Sequence, residues 1–115
     1  MTLTIGQSPS FASKWKRLGL TDTDLRDLER ALLSNLSAGA VVAGTGGVRK
    51  IRFAPALGGR GESGAYRVCY GHFPVYSRMF LFILFAKNEQ ANLTASQKTI
   101  AAGLMKEMAA TLGRF

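Results

Sequence analysis

The chain reads as an α+β domain spanning residues 1–115, with helices packed on a small antiparallel sheet in the order β-α-α-β-β-β-α. Three observations predict this. Apolar residues recur at helical spacing in two blocks near the N-terminus and in one at the C-terminus. Between them lie three β-rich runs bounded by glycine and proline. A length of 115 residues suits one core, and an apolar fraction of 47% is ordinary for a globular chain.

The elements follow in order. Thr2 to Ile5 (TLTI) alternates polar and apolar residues, as a short strand does. Ser8 or Ser10 caps a short helix with Phe11, Trp15 and Leu18 on one face, and Gly19 ends it. Thr21 caps a second helix. Asp22 and Asp24 lie in its first turn, where the helix dipole favours acids, and Leu25, Leu28, Leu32 and Leu36 form its apolar stripe. AGAVVAGTGG reads as a glycine-punctuated connector. Val48 to Ala54 is a strand ended by Pro55, and Ala65 to His72 is its hairpin partner. Phe73-Pro74 breaks that strand. Met79 to Ala86, apolar on both faces, is a third strand with neighbours on either side. Thr94-Ala95-Ser96-Gln97 matches a capping box and opens a helix with Ile100, Leu104, Met108 and Leu112 at helical spacing.

Charge narrows the function. Fifteen basic residues stand against seven acidic ones, a net charge of +8. Residues 37–88 hold seven of the basic residues and one acid, so the surplus lies in the β-rich middle. Such a surplus favours nucleic acid or an acidic protein partner. Cys69 stands alone, which excludes an intrachain disulfide and a Cys-based metal site. The longest apolar run, Met79 to Ala86, has eight residues, against roughly 20 needed to span a bilayer as a helix. The N-terminus lacks a basic stretch followed by an apolar one, so no secretory signal is read. The expectation is a soluble cytoplasmic protein with no membrane partner.

The hairpin VRKIRFAPALGGRGESGAYRVCY crowds Arg49, Lys50, Arg52, Arg60 and Arg67 together. Alternation along a strand puts Lys50 and Arg52 on one face and Ile51 and Phe53 on the other. Arg67 shares its face with Cys69, while Tyr66, Val68 and Tyr70 lie opposite. Lys87 continues the face of Met79, Leu81, Ile83 and Phe85. With suitable register, Lys50, Arg52, Arg67 and Lys87 converge at one end of the sheet, and Arg60 hangs over it from the loop. Such a cluster suits phosphate, because arginine offers a bidentate fork and lysine a compact charge. The plainer alternative is a solvated basic face. Neighbouring cations also depress a lysine's pKa, which suits Lys50 to general-base work. His72 is the only histidine, so a His–His acid–base pair is impossible. The loop GGRGESG lacks the ending of a phosphate-binding loop and joins two strands. Tyr66 and Tyr70 offer either core packing or a stacking face for a base.

GTGGVRKIRFA (Gly44 to Ala54), GRGESGAYRVCY (Gly59 to Tyr70) and LFAKNEQANLT (Leu84 to Thr94) together resemble the RelE/ParE superfamily of type II toxins, and its HigB-like branch in particular. LTDTDLRDLERALL is similar to that branch's second helix. The resemblance covers most of the chain and implies the RelE-like fold. It further implies a toxin that cuts mRNA in the ribosomal decoding site and is neutralised by a cognate antitoxin. Such a toxin uses no metal, no cofactor and no obligatory histidine. Lys50 and Arg52 match the two alternating basic residues on the strand before the loop, and Arg67 matches the catalytic arginine. Lys87 matches one of the basic pair after the last strand. Asn88 stands where RelE has arginine, a form shared by the HigB-like branch. The C-terminal tyrosine of RelE has no counterpart, since no tyrosine follows Tyr76.

The site expected from this resemblance is Lys50, Arg52, Arg67 and Lys87 as catalytic residues, with Arg49, Arg60, Asn88 and Tyr70 in contact with RNA. The chemistry is metal-independent attack of a 2′-oxygen on the adjacent phosphate. Lys50 serves as base or as an electrostatic aid to one. Arg52 and Arg67 hold the non-bridging oxygens, and Lys87 or Arg67 assists the leaving group. Two other functions fit the composition: a ParE-like toxin that inhibits gyrase without cutting RNA, and a non-catalytic nucleic-acid-binding module.

Overall fold

The computed structural model describes residues 3–34, 39–55 and 66–113. Strand β1 (Thr4–Gln7) leads directly into helix α1 (Pro9–Arg17). Ser8 joins the two. Its Oγ accepts from Phe11 N–H at 3.1 Å and donates to Phe82 O at 2.9 Å, so the cap of α1 is also a tie to the sheet. Pro9 occupies the first helical turn, where its missing N–H costs nothing. Gly19 ends the turn after α1 at φ +73°, a left-handed conformation that suits glycine. Helix α2 (Asp22–Ser34) opens on a reciprocal cap: Asp24 N–H donates to Thr21 Oγ1 at 3.1 Å, and Thr21 N–H donates to Asp24 Oδ2 at 2.9 Å.

The remaining strands are β2 (Ala40–Val41), β3 (Arg49–Phe53), β4 (Tyr66–Phe73) and β5 (Arg78–Ala86), followed by helix α3 (Ala95–Leu112). They form one five-stranded sheet in the order β1-β5-β4-β3-β2. The α+β class and the helix–strand order read from the sequence hold, with two differences. First, β1 runs parallel to β5, which makes the sheet mixed. Alternation in a strand reports which face is buried and says nothing of the neighbour's direction. Second, the connector holds an additional strand, β2, whose two residues pair with Arg49 and Lys50. Two residues are too few for a period to show. As expected of a strand apolar on both faces, β5 has neighbours on both sides.

Each face of the sheet carries a core. On one, α1 and α2 bring Phe11, Trp15, Leu28 and Leu32 against Phe53, Tyr66, Val68, Tyr70, Met79, Leu81 and Leu84. Trp15 stacks between Phe11 and Phe53 at centroid distances of 5.8 and 6.1 Å, and its Nε1–H donates to Thr21 O at 3.0 Å. On the other face, Val48, Cys69, Phe82, Phe85, Leu93 and Ala101 pack together, flanked by Leu104 and Met105 of α3. Gly71 admits α3 there, since a Cβ on it would lie 2.7 Å from Met105 Sδ.

A β-bulge corrects the face assigned to β5. Cys69 pairs with Ile83 and Tyr70 with Leu81, so Phe82 is an extra residue. Met79 and Leu81 therefore face α1 and α2, whereas Phe82, Ile83 and Phe85 face α3. The stripe expected on α3 also shifts. Ile100 is 55% exposed, and Ala101 takes the buried position at that level. Residues four apart advance about 40° around a helix of 3.6 residues per turn, so an unbroken series of such steps leaves the contact face. No helix among the described residues is long and apolar enough to cross a membrane.

Candidate nucleic-acid interface

The register across β3, β4 and β5 sets the geometry of the basic residues. Arg52 lies directly opposite Arg67, which lies opposite Phe85. One row along, Lys50 lies opposite Cys69, which lies opposite Ile83. Residues opposed across a ladder share a face, so Lys50, Arg52 and Arg67 all stand on the face that carries the second core. Lys87 follows the end of β5, two positions past Phe85, and is exposed, as is Asn88. By register, Arg67 is the centre of the group. Arg52 faces it across one ladder, Lys50 is its diagonal neighbour on β3, and Lys87 stands on the turn just beyond the paired end of β5.

Directly opposed side chains have Cβ atoms about 4.5–5.5 Å apart, and like charges so placed repel. The Arg52–Arg67 pairing therefore concentrates positive charge at one point of the ladder, where an anion can be held by both side chains. Both arginines are long enough to direct their heads outward while their stems cover the apolar residues beside them. Beneath the cations the sheet is dry: Cys69 is 0% exposed and Phe85 1%. A phosphate placed on such a floor meets less screening than it would in open water. Burial pushes the Cys69 thiol up to about 12, and nearby Lys50 offsets this only in part. Cys69 is thus a neutral floor residue and not a nucleophile.

The segment between β5 and α3 closes one side of this surface. Asn92 Oδ1 accepts from Lys50 Nζ at 3.4 Å across a separation of 42 residues. Gln90 Nε2 donates to Asn92 O at 2.8 Å and to Gln97 Oε1 at 2.7 Å, tying the segment to the capping box of α3. Leu93 is buried and anchors the same stretch in the second core. Reading the sequence strand by strand misses Asn92. It stands in LFAKNEQANLT, but nothing local says that this turn folds back over β3.

Two of the expected RNA contacts lie away from the face of Lys50 and Arg52. Arg49 pairs with Tyr70 across β3 and β4 and so lies on the opposite face from Lys50 and Arg52. Its Nη1–H donates to Gly39 O at 2.7 Å, which ties it to the chain entering β2. Adjacent strand residues point to opposite sides, so one side of the sheet cannot use both Arg49 and Lys50. Tyr70 is fully buried, packs in the first core, and its Oη accepts from Gly39 N–H at 3.2 Å. Its ring is closed to a stacking base. His72 lies two residues along β4 from Tyr70, on that same side. Burial and then the Arg49 charge hold its pKa below the ordinary imidazole range. Arg60 lies outside the described residues. No family model matches the chain.

Proposed function

We propose that this protein is a ribosome-dependent mRNA endoribonuclease, the toxin of a toxin–antitoxin pair. The single observation that carries the reading is the register that gathers Lys50, Arg52 and Arg67 on one face, with Lys87 at its border. Two arginines opposed across one ladder offer paired donors to an RNA phosphate. The resemblance of the hairpin and of LFAKNEQANLT to HigB-like toxins supports the same reading.

In this mechanism the RNA supplies its own nucleophile. The proton of a 2′-hydroxyl passes to Lys50 or to a group that Lys50 assists. The 2′-oxygen attacks the adjacent phosphorus, the bond from phosphorus to the 5′-oxygen breaks, and that oxygen takes up a proton. The products are a 2′,3′-cyclic phosphate and a 5′-hydroxyl end. Arg52 and Arg67 stabilise the charge gathering on the non-bridging oxygens of the phosphorane. Lys87 or Arg67 eases departure of the 5′-oxygen. The partners are a cognate antitoxin and mRNA on cytoplasmic ribosomes.

The test is induced expression without antitoxin, with the 5′ ends of cellular mRNA mapped. New 5′-hydroxyl ends in phase with codons are the expected result. Growth arrest with intact mRNA and lost DNA supercoiling would replace this reading with gyrase inhibition. Intact mRNA without arrest would leave a binding module.

A further inference from the structure

The turn carrying Lys87 and Asn88 is closed by one side chain. Glu89 Oε1 accepts from Ala86 N–H at 2.7 Å, and Glu89 N–H donates to Ala86 O at 3.0 Å. These two bonds form a ring around the two residues between them. The other carboxylate oxygen, Oε2, meets Lys14 Nζ of α1 at 2.6 Å. The hydrogen bond from Lys14, then the one from Ala86 N–H, hold the Glu89 carboxyl below its ordinary range, so it stays ionised at neutral pH. The far end of the segment is fixed separately, by Gln90 on Gln97 and by buried Leu93.

We infer that Glu89 is a positioning residue, which fixes Lys87 and Asn88 at the border of the basic face and is itself fixed by Lys14 on α1. The inference rests on the reading of Lys87 as a phosphate contact. Arg52 and Arg67 stand within strands, and the ladder holds their backbone. Lys87 stands on the turn that follows β5, and that turn sets its backbone. The backbone position fixes where the Lys87 side chain starts, so the turn governs where its charge can reach. Small displacements of a group that must meet the reacting atoms cost rate steeply. An exposed ion pair with no further role contributes little and does not act through Lys87.

The experiment uses the full chain with Glu89→Ala, Glu89→Gln and Lys87→Ala, singly and with Glu89→Ala and Lys87→Ala combined. Amide hydrogen exchange reads the brace without RNA. Glu89→Ala is expected to speed exchange at Ala86 by about tenfold, and Glu89→Gln by less, because its carbonyl still accepts from Ala86 N–H. Cleavage of a reporter mRNA in a ribosome-containing translation reaction reads the consequence. Glu89→Ala is expected to slow cleavage about tenfold in the native background and to add nothing once Lys87 is alanine. Glu89→Gln is expected to recover at least half of that loss on a logarithmic scale. Unchanged exchange at Ala86, or a Glu89→Ala loss fully additive with that of Lys87→Ala, would overturn the inference. A wild-type chain that leaves the mRNA whole while exchange responds as expected would overturn the nuclease reading and leave the brace standing.

Discussion

Replacing Arg67 by alanine is expected to lower mRNA cleavage by about 10²–10³-fold, the loss seen when one donor to a developing oxyanion is removed. Arg67 holds the central register position, opposite Arg52 and diagonal to Lys50. Its Nη1–H donates to Tyr66 O at 3.3 Å, a contact within its own strand that steers the side chain and leaves the core untouched. The truncation also removes one of two like charges opposed across the ladder. The fold should therefore survive, with a thermal midpoint within a few degrees of wild type. Arg67→Lys keeps the charge and loses the planar fork, so most of the defect should remain. Cleavage measured on purified, folded variants checks both. A folded Arg67→Ala chain that cuts at the wild-type rate would remove Arg67 from the site.

Truncating Tyr70 should act on stability instead. Tyr70 is the largest of the fully buried side chains, and Tyr70→Ala is expected to cost about 3–5 kcal/mol. That is a large share of the roughly 5–15 kcal/mol that holds a typical domain together. Tyr70→Phe keeps the ring and leaves Gly39 N–H without its hydroxyl acceptor, a loss of about 1–3 kcal/mol. Urea denaturation of the two variants gives the values. A Tyr70→Ala chain as stable as wild type but weaker in RNA binding would show that the ring stacks on a base and does not belong to the core.

Much of this arrangement is legible in the residues alone. The capping signals at Ser8, Thr21 and Thr94, the period-two alternation of Arg49–Phe53, and the double-sided apolar run of β5 each point to the element observed. The grouping of Lys50 with Arg52 follows from that same alternation. Other features depend on what neighbours do. The parallel direction of β1 is set by where its chain docks on β5. The bulge at Phe82 comes from the fit of β4 to β5, and it reverses the facing of Ile83 and Phe85 relative to Met79. A strict alternation groups Lys87 with Met79, whereas the bulge separates them and puts Phe85 beside Arg67. Arg49 looks like a member of the basic group when charges are counted along the chain, and the pleat sends it to the other side. Asn92 and Glu89 sit in a polar turn whose sequence gives no sign of its long-range partners, Lys50 and Lys14.

The proposal that Lys50, Arg52, Arg67 and Lys87 share one RNA-binding surface is tested most directly by the salt dependence of affinity for a single-stranded RNA oligonucleotide. Each phosphate neutralised on a single strand contributes about −0.7 to the slope of log K against log salt, so four contacts give roughly −3. Replacing Lys50, Arg52, Arg67 and Lys87 together by glutamine should bring the slope to less than half its wild-type value. Arg30→Gln, on an exposed position of α2, should leave it in place. A fourfold variant that keeps the wild-type slope would contradict a shared phosphate site on this face.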